Sequence, residues 1–455
     1  MATPRKAAAE KKASINPAFR KPAVAKKTAA NPATRTAPRS RKPDRVRLGI
    51  IGLGVRTEVL LVSLFGLADE AEVVAVCDVR PTAVETILSI FRKHGRPAPT
   101  VFKDYRTMLD RRDIDAVLIP TSWNSHLPIA TAALQAGKYA AIEVGGASST
   151  DELWRLVRAA ESTGVSCMML ENCCYARNEL LVMNLVRQGL FGEIIHCTGG
   201  YEHDLREFAP MLEQGYERSI HNRFRNGDIY PTHQLGPIAK ILDINRGNRF
   251  LRLTSTASKS RGMQEATRRH YGAGTPYSEI NFNMGDVITT VITCANGETV
   301  ALTHDIALPR PYSRNGRVQG TRGIWLEDAN GIYIDGISPS IKEIDVAGNP
   351  YTMHKWDPVE KFYDQYDHPI WQTYRRQTGL GGHGGLDSLA IRAFLDAVRN
   401  RTETPIDVYD IAAWMSVTCL SEQSVAMGGM PVPFPDFTDG KWITRGRATA
   451  GTWAL

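Results

Sequence analysis

Paired cysteines are missing from this chain of 455 residues. The seven cysteines are odd in number and form no CxxC pair; they are Cys77, Cys167, Cys173, Cys174, Cys197, Cys294 and Cys419. This usage argues against a disulfide framework and offers none of the ligand spacings of a structural zinc site. We therefore expect free, buried thiols in a reducing compartment.

Long apolar runs are missing as well. No stretch is long enough to span a bilayer, and the N-terminus lacks the apolar core of a secretory signal. We expect a cytoplasmic protein without a membrane partner. With 43% hydrophobic residues, the chain has enough apolar material for two domains, each with its own core.

Acidic and large apolar residues are scarce at the N-terminus. Residues 1–47 hold fourteen Lys and Arg against two acids, a net charge of +12, whereas the remainder holds 41 against 46, a net charge of −5. Because a segment so poor in apolar groups cannot offset the entropy of ordering, residues 1–44 are predicted to be a disordered basic tail. A targeting peptide or weak polyanion binding would also fit the tail. We favour a solvated tail and expect no specific nucleic-acid partner.

Strand-like apolar runs alternate with helical stretches from residue 45 to residue 192. The runs are VRLGIIGLG, AEVVAVCD, IDAVLIPT, KYAAIEV and VSCMMLENC. Strands that alternate with helices of this length are typical of a doubly wound parallel sheet. Residues 45–192 are therefore predicted to form an α/β Rossmann domain that binds a dinucleotide.

The pattern changes after residue 192. Long strand-like runs joined by turns such as Ala-Asn-Gly predict hairpins, and residues 202–232 are polar and either helical or irregular. Residues 193–455 are predicted to form an α+β domain with a mostly antiparallel sheet that binds the substrate. The helical segments LDSLAIRAFLDAVRN and VYDIAAWMSVTCLSEQSVAMGG could pack back on the first domain.

A glycine-containing turn follows the first strand. Gly52 and Gly54 stand between a strand and a helix, where glycine lets the backbone approach a pyrophosphate. The third glycine of the GxGxxG pattern is replaced by Thr57. Asp78 ends the second strand, twenty-four residues after Gly54, where a carboxylate binds ribose hydroxyls and repels a 2′-phosphate. We expect NAD rather than NADP, although Arg80 is a mild indication to the contrary.

The segment PTSWNSH follows another strand, at the edge where open α/β sheets bind ligands. We interpret Trp123, Asn124, Ser125 and His126 as a loop on which a ligand docks. Together with the glycine turn and Asp78, this segment resembles the N-terminal domain of the glucose-fructose oxidoreductase and inositol dehydrogenase superfamily.

The next strand departs from the pattern of that superfamily. There it usually ends Glu-Lys-Pro, and the lysine serves proton chemistry, whereas this chain has Glu143, Val144 and Gly145. Five separated segments instead resemble glycoside hydrolase family 109, a branch of the same superfamily; they are EVGGAS, MLENCCYARNELLVMNLVRQGLFGEIIHCTGGYEHDLRE, RNGDIYPTHQLGPIAKILDINRGNR, LPRPYSR and GGHGGLDSL.

The resemblance to family 109 implies an NAD-dependent glycosidase that acts on α-linked N-acetylgalactosamine. Tightly bound NAD would oxidise the sugar transiently at C3, the C1 group would be eliminated, water would add, and the hydride would return. Two alternatives stay open. One is an NAD-dependent sugar or inositol dehydrogenase with net hydride transfer, and the other is a non-catalytic dinucleotide sensor.

The resemblance also implies which residues contact the ligands. The cofactor contacts, with the two glycines of the turn included, are Gly52, Gly54, Val55, Arg56, Asp78, Trp123, Asn124, Ser125, His126, Glu143, Val144, Asn172 and Tyr230. The substrate contacts are Tyr201, Arg218, Tyr230, Pro231, Thr232 and His233, together with Tyr312, and His383 of GGHGG is a candidate for lining the same pocket.

Tyr175 and His233 are the candidate catalytic residues, because a tyrosine and a histidine can move protons near neutral pH once their pKa values are tuned. Which of them acts on which proton stays open. Glu202, His203 and Asp204 are adjacent, but without a second cluster at ligand spacing they do not predict a metal site. A homo-oligomer formed through the antiparallel sheet is a further expectation.

Overall fold

The computed structural model describes residues 45–212, 217–374, 383–447 and 452–455, so the predicted basic tail, residues 1–44, lies outside the described residues. The N-terminal sheet contains β1 (Val46–Ile51), β2 (Ala71–Cys77), β3 (Thr100–Phe102), β4 (Ala116–Ile119), β5 (Tyr139–Ile142) and β6 (Cys167–Met169). The helices between and after these strands are α1 (Val55–Gly66), α2 (Pro81–Lys93), α3 (Tyr105–Leu109), α4 (Trp123–Gln135), α5 (Thr150–Thr163) and α6 (Arg177–Arg187).

All strand pairs of this sheet are parallel, in the order β3-β2-β1-β4-β5-β6. The strand order reverses between β1 and β4, which is the switch point where such sheets bind ligands. Every residue of β4 is buried, because helices cover both faces of the sheet. The predicted doubly wound parallel sheet is confirmed.

The second sheet lies in the C-terminal part of the chain and is mostly antiparallel, as predicted. The strands are β7 (Ile194–Glu202), β8 (Phe250–Ala257), β9 (Val287–Cys294), β10 (Thr299–Asp305), β11 (Arg317–Gly320), β12 (Gly323–Leu326), β13 (Gly331–Ile334), β16 (Asp357–Pro358) and β17 (Val432–Pro433), and a separate hairpin pairs β14 (Ser340–Ile344) with β15 (Pro350–His354). The strand order of the large sheet is β16-β13-β12-β11-β7-β10-β9-β8-β17, and the pair of β7 and β10 is parallel.

The helices described in the C-terminal part are α7 (Glu217–Phe224), α8 (Thr232–Ile241), α9 (Gly262–Tyr271), α10 (Tyr363–Tyr366), α11 (Pro369–Tyr374), α12 (Leu386–Asn400) and α13 (Val408–Ala426). Two of them, α12 and α13, contact the N-terminal part of the chain. Short 3-10 turns occupy Asn172–Tyr175, Arg206–Leu212, Val359–Phe362, His383–Gly385 and Lys441–Ile443. Arg392 of α12 bonds to Glu70 at 3.1 Å, and Tyr409 of α13 donates to Glu161 of α5 at 2.7 Å.

Two sequence expectations have definite outcomes here. All seven cysteines are free, and six of them are buried, as predicted. The segment interpreted as a ligand-docking loop is instead the first turn of α4, because Ser122 in an extended conformation precedes Trp123 and the helix begins there. In the described ranges, no helix is both long and apolar enough to cross a membrane.

Candidate functional site

The turn after β1 presents a helix N-terminus without a side chain in front of it. Gly52 has φ +95°, and a Cβ there would lie 2.8 Å from the Cα of Thr121, so only glycine fits. Gly54 precedes the first turn of α1, and a Cβ on Gly54 would meet no protein atom within 4 Å. Val55, which opens the helix, is 77% exposed. The free N–H groups of such a helix end can bind phosphate oxygens.

Asp78 lies directly after β2 and holds this turn in place. One carboxylate oxygen accepts from the backbone N–H of Leu53 at 2.7 Å, and the other accepts from that of Arg80 at 2.8 Å. The Arg80 guanidinium also bonds both oxygens, at 3.1 and 3.0 Å. Burial alone would raise the pKa of Asp78, but the bonds from Arg80 and Leu53 lower it. The carboxylate is therefore ionised, and Arg80 is already paired with it.

A polar network joins four of the residues that the sequence predicts as cofactor contacts, namely Arg56, Glu143, Val144 and Asn172. Arg56 donates from Nε to Glu143 at 2.7 Å and makes two bonds to the carboxylate of Asp387, at 2.9 and 2.8 Å. Asn172 donates to the same carboxylate at 2.8 Å. The other Glu143 oxygen accepts from the backbone N–H of Val144 at 3.1 Å. Asp387 was not among the predicted site residues, although it lies in the GGHGGLDSL segment.

The Trp123 indole packs against Gly145, the residue after Glu143-Val144 where the superfamily usually has proline. A Cβ on Gly145 would lie 2.6 Å from Cδ1 of the Trp123 indole, so the ring occupies the space of a side chain. The indole stacks on His221 and Tyr230, with ring centroids 4.8 and 5.5 Å away. A cleft of about 700 Å³ opens beside this stack and is lined in part by His221 and Asn124.

His126 adds a buried acceptor at the same edge of the sheet. Its Nε2 lies 2.9 Å from the carbonyl of Thr121, which can only accept, so Nε2 carries the proton. Burial lowers the pKa of His126 to about 4, so the ring is neutral. The buried Nδ1 has no hydrogen-bond partner among the described residues. Ser125 bonds Ser122 at 3.1 Å, in the same turn of α4.

Five of the predicted substrate residues form one group of contacts, the ring cluster; they are Tyr201, Arg218, Tyr230, His233 and Tyr312. The Arg218 guanidinium donates to the Tyr201 hydroxyl at 3.1 Å and lies 4.6 Å from the centre of the Tyr230 ring. Tyr201 contacts Tyr230 and Tyr312, with centroids 4.6 and 6.3 Å away. Burial raises the pKa of Tyr230 to about 12, so its hydroxyl keeps its proton.

His233 lies at the inner end of this cluster and is paired with a carboxylate. Its Nδ1 is 2.8 Å from Oε1 of Glu171, and its ring packs edge-on against Tyr230 at 4.9 Å. The other Glu171 oxygen accepts from the Thr232 hydroxyl at 2.6 Å, and Oε1 also accepts from the backbone N–H of Cys173 at 3.2 Å. Glu171 is fully buried, whereas the His233 side chain is 17% exposed. The carboxylate thus orients the ring and leaves Nε2 on its far side.

The electrostatics of this dyad favour an ion pair. Burial alone would lower the pKa of His233, but neighbouring Cys173 and Glu171 raise it well above its ordinary value. Burial alone would raise the pKa of Glu171, but His233 and Thr232 lower it. The positive end of α8, which begins at Thr232 after Pro231, also lies beside this carboxylate.

Sequence reasoning missed Glu171. The signal was available, because Glu171 follows β6 closely, at the same edge of the sheet as the other candidate residues. Within the described ranges, the group of side chains close enough to share a metal ion is Glu171, Cys173 and His233, with ligand atoms within 4.8 Å of one another. Since Nδ1 and Oε1 are at hydrogen-bond distance, we interpret this group as a dyad.

The surroundings of the remaining residues that the sequence singled out do not indicate a role in binding or catalysis. Tyr175 is fully buried, its hydroxyl has no hydrogen-bond partner in the part of the chain that the structure describes, and burial raises its pKa well above the ordinary value. The side chain of His383 lies outside the described residues. Glu202 pairs with Arg310, Asp204 pairs with Arg206 and His203 bonds Tyr201, so these three neighbours face different partners.

The N-terminal edge of the site fits a nicotinamide dinucleotide. The open helix end at Gly54 suits a pyrophosphate, the ionised Asp78 suits ribose hydroxyls, and the orphaned Nδ1 of His126 can accept a bond from a ligand donor. These three residues follow three neighbouring strands of one sheet, β1, β2 and β4.

Family profiles match the two parts of the chain. Residues 46–171 match the oxidoreductase family with an NAD-binding Rossmann fold, and residues 175–444 match the C-terminal domain of glycosyl hydrolase 109. Among solved structures, levoglucosan dehydrogenase in complex with NADH and levoglucosan superposes with a TM-score of 0.63 at 18% identity, covering 86% of this chain and 100% of that one. At this identity, the likeness shows the fold.

Curated relatives are much more similar in sequence. An α-N-acetylgalactosaminidase of Tannerella forsythia is 41% identical, with 91% of this chain and 90% of the relative covered. An α-N-acetylgalactosaminidase of Shewanella oneidensis is 39% identical, with 88% and 87% covered. With these relatives and the profile match over most of its length, this chain belongs to glycosyl hydrolase family 109.

Proposed function

We propose that this protein is an NAD-dependent α-N-acetylgalactosaminidase. The observation that carries the proposal is the Glu171–His233 dyad, which lies between the ring cluster and the cofactor edge of the Rossmann sheet. Two relatives named for this activity, at 41% and 39% identity, support the choice of sugar. When bound, NAD would supply reversible oxidation at a ring carbon, which makes the neighbouring C–H acidic and permits elimination and readdition without net redox change.

His233 is suited to hold and move a proton of the sugar. Because Nδ1 is bonded to Glu171, the ring has a fixed orientation and exchanges protons through Nε2. The negative charge of Glu171 stabilises the imidazolium form, so the ring is protonated and can donate a proton from Nε2, as the imidazolium of a catalytic histidine does in other hydrolases. His233→Ala should therefore abolish cleavage and leave NAD bound.

The ring cluster is suited to hold an amino sugar. Tyr230 and Tyr201 lie together with ring centroids 4.6 Å apart, and aromatic rings of this kind can pack against the apolar C–H face of a pyranose. Arg218 offers fixed N–H donors for hydroxyl or acetamido oxygens. Tyr312 is 51% exposed and lies at the outer side of the cluster, where a leaving group would depart.

The choice of NAD over NADP rests on Asp78. Its carboxylate is ionised, and the nearest cation, Arg80, is already bonded to both of its oxygens. A 2′-phosphate would therefore meet a negative charge without a free arginine beside it. A binding assay that finds tighter binding of NADP than of NAD would contradict this choice.

We also infer that the protein is cytoplasmic and assembles with itself. The free thiols support a reducing location. Exposed apolar side chains on strands of the second sheet support self-association, since Ile195, Leu251 and Val291 are 50%, 37% and 39% exposed. Light scattering of the purified chain measures its mass in solution, and a monomer at micromolar concentration would contradict the assembly.

The deciding experiment uses p-nitrophenyl α-N-acetylgalactosaminide with the purified full chain. We expect release of p-nitrophenol over many turnovers while the absorbance of NADH does not accumulate. Stoichiometric NADH from free sugars, without cleavage of the glycoside, would instead identify a dehydrogenase. NAD binding with neither reaction would identify a dinucleotide sensor.

A further inference from the structure

The proposed reaction requires that the cofactor stay bound throughout the catalytic cycle, which the reaction of a dehydrogenase does not require. A dehydrogenase releases its reduced cofactor in every cycle, whereas a redox-neutral glycosidase must return the same hydride to the same sugar. If the reduced cofactor left during the cycle, an oxidised sugar fragment would remain and the enzyme would lack the hydride needed to finish. Slow cofactor release is therefore part of the activity, and the inference below rests on the proposed function.

Arg56 is tied to a helix far along the chain. It lies in the first turn of α1, next to the open helix end at Gly54, and both of its terminal nitrogens bond the two oxygens of Asp387, at 2.9 and 2.8 Å. Asp387 lies in the first turn of α12, 331 residues later. The same carboxylate accepts from Asn172 at 2.8 Å. One buried acid thus connects the glycine turn, the end of β6 and a C-terminal helix.

The bonding pattern leaves Arg56 able to bind a ligand. A guanidinium has five N–H donors in a fixed fork, and the bonds to Asp387 and Glu143 use three of them. The two donors that remain are on the terminal nitrogens, held in place by the bidentate pair. A freely rotating arginine would lose more conformational entropy on binding an anion.

The burial of Asp387 makes this arrangement rigid. Its side chain is 1% exposed, whereas that of Arg56 is 25% exposed. Because a buried carboxylate needs its charge and its hydrogen bonds satisfied, Asp387 holds Arg56 and Asn172 in position even before a cofactor binds. The helix that carries Asp387 is also bonded to the N-terminal part of the chain, since Arg392 donates at 3.1 Å to Glu70, the residue before β2.

We propose that Asp387 is a positioning residue that retains the dinucleotide by fixing Arg56 and Asn172 at the cofactor cleft. The bridge joins the first turn of α1, beside the glycine turn, to α12, so the two move apart only when these charge-assisted bonds break. Asp387 does not touch the reacting atoms in this scheme. It acts through Arg56, and its loss should increase the release of NAD more than it changes the chemistry of cleavage.

The test measures NAD in the full chain without any glycoside. The variant is Asp387→Asn, which keeps the shape of the side chain but removes the charge and turns an amide donor towards Arg56 or Asn172. The matched control is Asp396→Asn on the same helix, where the carboxylate accepts from Asn400 at 2.9 Å and belongs to no cofactor contact. Circular dichroism and a melting curve show that each variant is folded.

We expect the wild type and Asp396→Asn to purify with bound NAD that exchanges slowly against labelled NAD. Asp387→Asn should exchange about 10- to 100-fold faster, the effect of losing a charge-assisted bond. Arg56→Lys keeps the charge without the fork and should also exchange faster. Because Asp387 acts through Arg56, the double variant should exchange no faster than the faster single variant.

Three outcomes separate this inference from the proposed function. Exchange in Asp387→Asn at the wild-type rate, or fully additive effects in the double variant, would overturn the role of Asp387 even if the wild type cleaves the glycoside. Faster exchange in Asp387→Asn together with no cleavage by the wild type would keep that role and reject the glycosidase. A wild type that neither contains nor binds NAD would reject both.

Discussion

Replacing Glu171 by Gln tests whether the dyad sets the protonation of His233. The amide has the size of the carboxylate and can still accept from Nδ1 while it donates to the Thr232 hydroxyl, so the packing is conserved. The negative charge 2.8 Å from Nδ1 is lost. An opposite charge at this range shifts a pKa by about 1–3 units, at about 1.4 kcal/mol per unit. Because both side chains are largely buried, solvent screens little of this effect.

We therefore expect the pKa of His233 to fall by about 1–3 units in Glu171→Gln. The titration is followed by NMR of the histidine ring signals, which His233→Ala assigns by removing one of them. In kinetics with the chromogenic glycoside, the alkaline limb of kcat should move to lower pH by the same amount, with KM nearly unchanged. A merely structural role for Glu171 would lower activity without moving this limb.

The stability of the protein should change with pH in a defined way. The raised pKa of His233 contributes stability that is present below its ordinary value of 6.5 and is lost as the pH rises through the folded-state pKa. The lowered pKa of Glu171 contributes stability that is present above 4.5 and is lost as the pH falls. The loss of Tm in Glu171→Gln should therefore be largest between about pH 4.5 and 6.5.

The control for this prediction is Glu179→Gln. Glu179 is also a buried carboxylate, but it pairs with Arg314 at 2.5 Å and not with the dyad. We expect Glu179→Gln to leave the pKa of His233 unchanged. The reasoning would be refuted by a His233 pKa that stays within about half a unit in Glu171→Gln, or by an equal shift in both variants.

Three further predictions follow from single contacts. Burial raises the pKa of Asp228 to about 7, so its neutral carboxyl stabilises the fold below about pH 4, and this contribution is lost as the pH rises through 7. Asp228→Asn should therefore raise Tm at pH 8 and not at pH 4. Equal changes of Tm at the two pH values would contradict this prediction. Gly145→Ala should lower the stability by about 1–3 kcal/mol in urea unfolding, because its Cβ meets Trp123, whereas Gly66→Ala, which meets no atom within 4 Å, should not. Tyr175→Phe should keep its Tm, because its hydroxyl has no partner in the described ranges, and we expect it to lose cleavage with NAD bound; near-full turnover would remove Tyr175 from the mechanism.

Much of the fold could be predicted because its signals are local. The hydrophobic period of a strand or a helix is visible within a few neighbouring residues. The alternation of strand-like and helix-like segments between residues 45 and 192 therefore predicted the parallel sheet correctly. The short edge strand β3 has only three residues, too few to show a period, and it was missed. The segment at Trp123 was interpreted as a loop because its polar composition masks the helix that begins there.

The candidate site could be predicted in part. The ring cluster of Tyr201, Arg218, Tyr230, His233 and Tyr312 was named from matched segments, and the structure brings these residues together. Their roles stay predictions. No spacing rule relates residues so far apart in the chain, so the resemblance, not the period, pointed to them.

The partners that tune those residues were decided by the tertiary structure. Glu171 meets His233 across 62 residues and Asp387 meets Arg56 across 331. The position of Glu171 after a strand could have marked it as a candidate, but nothing in the local sequence shows which residue either acid would pair with. The strand that ends Glu143-Val144-Gly145 shows the same division. Its sequence by itself determined a buried strand without the usual lysine, whereas only the folded chain brought Arg56 to the Glu143 carboxylate and Trp123 onto Gly145. The hydrophobic period depends on residues that are close in the sequence. Hydrogen bonds and ion pairs, in contrast, form wherever folding brings a donor to an acceptor, however far apart the two residues are in the chain.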